Sequence, residues 1–115
     1  MENNQEQDSK KELLSQVLTT KELIEYQKNA IVSKTLINKK AGTLTLFAFD
    51  EGERLSEHTA PFDALVYVLD GEAEIIISGS AFIVKENEII IMPAHQSHAV
   101  NAIHQFKMML VMIKE

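Results

Sequence analysis

The chain contains no cysteine. Disulfides, thiolate metal sites and a cysteine nucleophile are therefore excluded, and the composition fits a reducing compartment. No apolar run approaches the ~18 residues that a membrane-spanning helix needs. Residues 1–11 are polar and lack the apolar centre of a secretory signal. The expectation is a cytoplasmic protein without a membrane partner. Positive charge is also scarce: 11 Lys and Arg stand against 17 Asp and Glu, for a net charge of −6. Lys39-Lys40 and Lys10-Lys11 are too short to form a phosphate-tracking patch, so no nucleic-acid partner is expected. The chain has no glycine-rich phosphate loop, no G-x-S-x-G elbow and no carboxylate pair at useful spacing. No organic cofactor is implied, and no reaction can be named from these residues.

What is present is 115 residues, 45% of them hydrophobic, enough for one domain with a core. Residues 1–8 are rich in Asn, Gln and Glu and are predicted to be disordered. Ser9-Lys10-Lys11-Glu12 and Thr19-Thr20-Lys21-Glu22 both have capping-box spacing before apolar residues. Two short helices are predicted there, carrying Leu13, Leu14, Val17 and Leu18 on one and Leu23, Ile24 and Tyr26 on the other. Residues 1–30 therefore read as a tail with short helices, and residues 31–115 as a β-domain.

From Ile31 the pattern is that of strands, rich in Val, Ile, Thr and Phe and divided by turn residues. Strands are predicted over 31–37, 43–49, 64–69, 73–78, 81–85, 88–92, 98–103 and 106–113, with a tight hairpin at Asp70-Gly71. About eight short strands without intervening helices imply an all-β antiparallel sandwich or barrel. Several strands are apolar on both faces, among them 106–113 and 89–92. A sheet exposed on one side would alternate with polar residues, so a further layer must cover the outside. The N-terminal helices would cover part of it and a second copy more, predicting a homodimer packed sheet to sheet. Tyr67 lies on this outward parity. The five methionines read as core filler rather than copper ligands.

Two segments carry the chemistry. Gly52 is followed by His58, Ala60, Ala64 and Gly71; later come Asn87, Pro93, His95, His98 and Ala102. On strands, Ala64, Val66 and Val68 share one parity, and His98, Val100 and Ala102 share another. If both parities face inward, His58 and His98 meet in one cavity walled by Ala60, Ala64, Val66 and Val100, with Gln96 nearby. Asp63 and Phe62 fall at the rim. His104 reads as an exposed turn residue.

These segments resemble the two motifs of the cupin family, G-x5-H-x-H-x3,4-E-x6-G and G-x5-P-x-G-x2-H-x3-N. Gly52, His58, Gly71, Pro93 and His98 match. Ala60 replaces the second histidine, Ala64 the glutamate, Asn87 and His95 the second motif's glycines, and Ala102 the asparagine. The resemblance covers about residues 31–113. It implies a double-stranded β-helix jelly roll with a reduced set of metal ligands. His58 and His98, with His95 as a possible third ligand, would hold a divalent ion (Zn, Mn, Fe, Ni or Cu) and a small molecule would bind in the barrel. The alternatives are a metal-free domain that binds or senses a small molecule, and a purely structural dimer.

Overall fold

The computed structural model describes residues 13–114. Eight strands form two curled antiparallel sheets: β1 (Ile31–Lys39), β2 (Gly42–Phe49), β3 (Arg54–His58), β4 (Asp63–Ile77), β5 (Ser80–Lys85), β6 (Ile89–Met92), β7 (His98–Asn101) and β8 (Phe106–Ile113). The first sheet runs β1, β2, β8, the leading half of β4, then β6. The second runs β5, the trailing half of β4, β7, then β3. This is the expected all-β jelly roll.

β4 departs from expectation. Asp70-Gly71 is not a hairpin; it lies inside one continuous 15-residue strand. There the register against β8 slips between Val68 and Asp70. Gly71 takes a left-handed φ of +75°, and a Cβ on it would collide with the carbonyl oxygen of Gln105. The bulge bends β4, so its two halves serve different sheets. An Asp-Gly pair supplies a positive-φ position in either setting, and tertiary pairing decides which one forms.

The sheets face each other over one core. Phe49, Val66, Val68, Ile75, Phe106 and Met108 are all at most 1% exposed. Phe49 and Phe106 stack with ring centroids 4.5 Å apart. Ala64, Val66 and Val68 face this core from β4, Val100 from β7 and Ala102 from just beyond it, as their parities predicted. Met92 and Met108 are buried among them, and Met112 packs against them.

The N-terminal helices do not form as expected. Residues 13–16 make a turn, and the stretch before them lies outside the described residues. Of the second helix only a 3-10 turn appears, Thr20–Leu23, without a side-chain cap at Thr19. A segment too short for repeated helical hydrogen bonds takes its conformation from packing instead. Its role as cladding does hold. Leu23, Ile24 and Tyr26 seal Leu46, Ala48, Leu69 and Met109 on the outer face of the first sheet, with Tyr67 at the edge of this second cluster. A polar clasp pins the segment down: Tyr26 Oη donates to Asp70 Oδ2 at 2.5 Å, and Lys107 Nζ donates to the carbonyl of Lys21 at 2.6 Å. The Lys107 ammonium also lies 5.0 Å from the centroid of the Tyr26 ring. Burial raises the Tyr26 pKa, and Asp70 raises it further, so its hydroxyl remains a donor. No helix among the described residues is long and apolar enough to cross a membrane.

Candidate functional site

The candidate site lies where β3 meets β7. Arg54–His58 is polar and was not anticipated as a strand, because four of its five residues face water on a sheet edge. Leu55 pairs with Val100 and His58 with His98, three steps along β3 against two along β7. The extra residue decides the site. Strict alternation would put His58 on the face opposite Leu55, whereas the bulge turns it onto the same inward face. His98 shares that face with Val100 and lies opposite Ile77 on its other side.

The two imidazoles therefore meet edge to face, with ring centroids 4.3 Å apart. His58 is exposed, and His98 is 8% exposed. Each ring is held by a backbone carbonyl two residues earlier. His58 Nδ1 donates to Ser56 O at 2.8 Å, and His98 Nδ1 leans towards Gln96 O at 3.4 Å. A carbonyl only accepts, so this fixes the proton on Nδ1 and leaves the Nε2 lone pair free. Burial lowers the His98 pKa, the neighbouring His58 lowers it further, and the Gln96 carbonyl opposes both. His98 is thus a neutral acceptor near pH 7.

The β3–β4 and β6–β7 connections form the mouth above this pair. His95 N–H donates to Ala60 O at 2.8 Å, and Ala94 N–H donates to Asp63 Oδ1 at 2.9 Å. Phe62 is half-buried at the rim, 5.7 Å from the Lys114 ammonium. Gln96 is exposed and accepts from Ser78 Oγ at 3.2 Å. The carboxylate of Asp63 is engaged in tying the two loops together. His95 is exposed in a left-handed turn, φ +69°.

Both departures from the motif glycines now have a backbone explanation. Gly52, Gly71, Asn87 and His95 occupy the four motif-glycine positions, and all four have positive φ, at +88°, +75°, +70° and +69°. The conformation persists where the residue has changed. Gly52 N–H also donates to Ala102 O at 2.7 Å, joining the two motifs directly.

The expected cavity is shallower than the sequence implied. Val66 is 0% exposed, Val100 2% and Ala64 6%, so hardly any water-sized space touches them. They are core, and the accessible part of the site is the mouth around His58, Ala60 and Gln96. The donor set also falls short of a resident metal. Zn, Mn, Fe or Ni sites ordinarily take three or four protein ligands. Here two imidazoles meet, and no group of three His, Cys, Asp or Glu side chains suited to a metal occurs among the described residues.

Residues 45–114 match the cupin domain family model. The chain belongs to the cupin family. A conserved Streptococcus pyogenes protein of unknown function is 34% identical over 88% of this chain and 89% of its own, with a TM-score of 0.84. A cupin 2 conserved barrel domain protein from Leptotrichia buccalis is 46% identical over 82% of this chain, with a TM-score of 0.80. This chain spans 46% of that protein's length. A cupin superfamily protein from Desulfitobacterium hafniense is 29% identical over 88% of this chain and 93% of its own, with a TM-score of 0.83. No curated protein matches the chain.

Proposed function

We propose that this cupin binds a small molecule at the barrel mouth, with His58 and His98 as its polar anchor and no resident metal required. The observation that supports this is the joint arrangement of the rings. Both Nδ1 atoms face backbone carbonyls two residues earlier in the chain, so both Nε2 atoms are left as acceptors against an apolar background. A ligand carrying a hydroxyl, amide or ammonium donor beside an apolar group would suit that pair. The role we infer is recognition or sensing, since no nucleophile or carboxylate pair adjoins the rings among the described residues.

A second reading has one observation behind it. Imidazoles held at Nδ1 by carbonyls are oriented as metal-binding histidines are. A divalent ion could therefore share His58 and His98, with the ligand supplying the remaining donors. Native mass spectrometry and elemental analysis of untagged protein, beside the His58→Ala/His98→Ala variant, separate the two readings. The expected result is a copurified organic molecule in the parent, none in the variant, and no stoichiometric metal after exposure to Zn, Mn, Fe, Ni and Cu salts. Stoichiometric metal lost in the variant would replace the first reading with the second. An organic molecule retained in the variant would remove the histidines from the site.

A further inference from the structure

Charge is divided between the two ends of the barrel. The mouth end holds the β1–β2 turn, the β3–β4 and β6–β7 connections and the end of β8. The registers bring these together: Lys39 pairs with Gly42, Gly42 with Ile113, Ile113 with Asp63, and Ala64 with Met92. Lys39 and Lys40 are exposed at the turn, and Lys114 follows Ile113. The Lys114 N–H donates to Ala41 O at 2.7 Å, and its ammonium stands 5.7 Å from the Phe62 ring. No carboxylate pairs with any of these three ammoniums among the described residues. Two acids share this end, Glu57 and Asp63, and Asp63 is held by the Ala94 N–H. The opposite end, where Phe49 meets Phe106, is the reverse. The β2–β3 connection (50–53) carries Asp50, Glu51 and Glu53, and the β5–β6 connection (86–88) carries Glu86 and Glu88. Neither contains a basic residue, and of these five acids only Glu86 has an ion pair, to Lys21. In a chain of net charge −6, three unpaired lysines around the mouth are a local excess of the opposite sign.

We propose that the molecule bound at the mouth is a small organic acid, drawn there by Lys39, Lys40 and Lys114. This rests on the reading of His58 and His98 given above and adds the ligand's charge to it. The two Nε2 acceptors call for a donor, and the lysines call for an anion. One molecule with a hydroxyl and a carboxylate satisfies both, and a hydroxy acid is the simplest of that class. A lysine ammonium is a compact point charge on a flexible stem, not a rigid fork. These three stand on two different elements, so they select for charge rather than for shape. Their field favours anions at the mouth, while the acidic end turns them away. The histidines then fix the orientation, with the hydroxyl inward and the carboxylate towards the rim.

Titration of the full chain with lactate and with lactamide, followed by the ring NMR signals of His58 and His98, tests this. The two probes share a hydroxyl and a methyl group and differ in charge. Lactate should bind at least about threefold more tightly at about 50 mM NaCl, and most of that preference should vanish at about 500 mM. Lys39→Gln/Lys40→Gln/Lys114→Gln should remove the preference and leave lactamide binding unchanged. Lys39→Gln/Lys40→Gln alters only exposed side chains, so it keeps the test open if the triple variant unfolds, and it should remove part of the preference. Lys85→Gln, beside the acidic β5–β6 connection, should change neither titration. Equal binding of both probes at the histidines would overturn the assignment of an acid and leave the histidine site standing. A preference for lactate that survives both lysine variants would overturn it too. Ring signals unmoved by either probe would overturn the assignment and the histidine site together.

Discussion

His98 is where a single protonation reaches the rest of the molecule. Its imidazole is nearly buried and faces another imidazole, so the folded state resists charging it. In the unfolded chain the group returns to its ordinary value of 6.5, above its folded value. As pH falls through 6.5, the unfolded state takes up the proton first, and stability drops until the folded value is also passed. The contribution is complete above the unfolded pKa. Thermal melts from pH 8 to 5 should show a midpoint that falls on the acid side, and His98→Gln should flatten that fall. An unchanged slope in that variant would place the pH sensitivity elsewhere. Asp50 acts in the same direction at lower pH. Its pKa is held down chiefly by the Asn29 N–H and then by Gln105, so what it contributes is lost as pH falls through its lowered value.

At the scale of elements, the turns record the family frame more faithfully than the side chains do. His95 adopts a backbone conformation that an L side chain holds at a cost of about 1 kcal/mol. His95→Gly should therefore raise stability by about 0.5–1 kcal/mol in urea unfolding. Gly71→Ala should do the opposite, by about 2–4 kcal/mol, since it adds both the φ penalty and a collision with Gln105 O. A destabilised His95→Gly protein would show that the imidazole makes a contact worth more than the strain. The strands were legible wherever apolar periodicity was strong, as in β8, whose bounds match the expectation. They were not legible where the residues were polar or where pairing overrode local preference. β3 is an edge strand without an apolar signature, and its bulge leaves no local mark in Arg54-Leu55-Ser56-Glu57-His58. The meeting of His58 and His98 was legible from the motifs. The closure of the pocket behind them was not, because packing around Ala64 and Val66 depends on Phe49, Phe106 and Met108, which are distant in sequence.

At the scale of the whole molecule, the outer layer and the barrel are bound into one unit. The chain has two tyrosines and no tryptophan. Both tyrosines, Tyr26 and Tyr67, lie in the outer cluster, while the barrel core holds Phe49 and Phe106. Tyrosine fluorescence thus reports the cladding, and far-ultraviolet circular dichroism reports the sheets. The Tyr26–Asp70 and Lys107–Lys21 clasp anchors the cladding to the strands beneath, so the two signals should share one thermal midpoint. A fluorescence transition well below the dichroism transition would mean that the N-terminal segment peels away first.

β4 also sets how far the chain can be divided. β5, β6, β7 and β8 all take hydrogen-bond partners from it. It is the last strand before the exposed Ser78-Gly79-Ser80 turn. A single nick in that turn would yield two fragments, each with open edges, and every strand of the second fragment would find its mate in the first. The barrel is therefore suited to fragment complementation at this turn, because its order is carried by one shared strand rather than by unbroken covalent continuity.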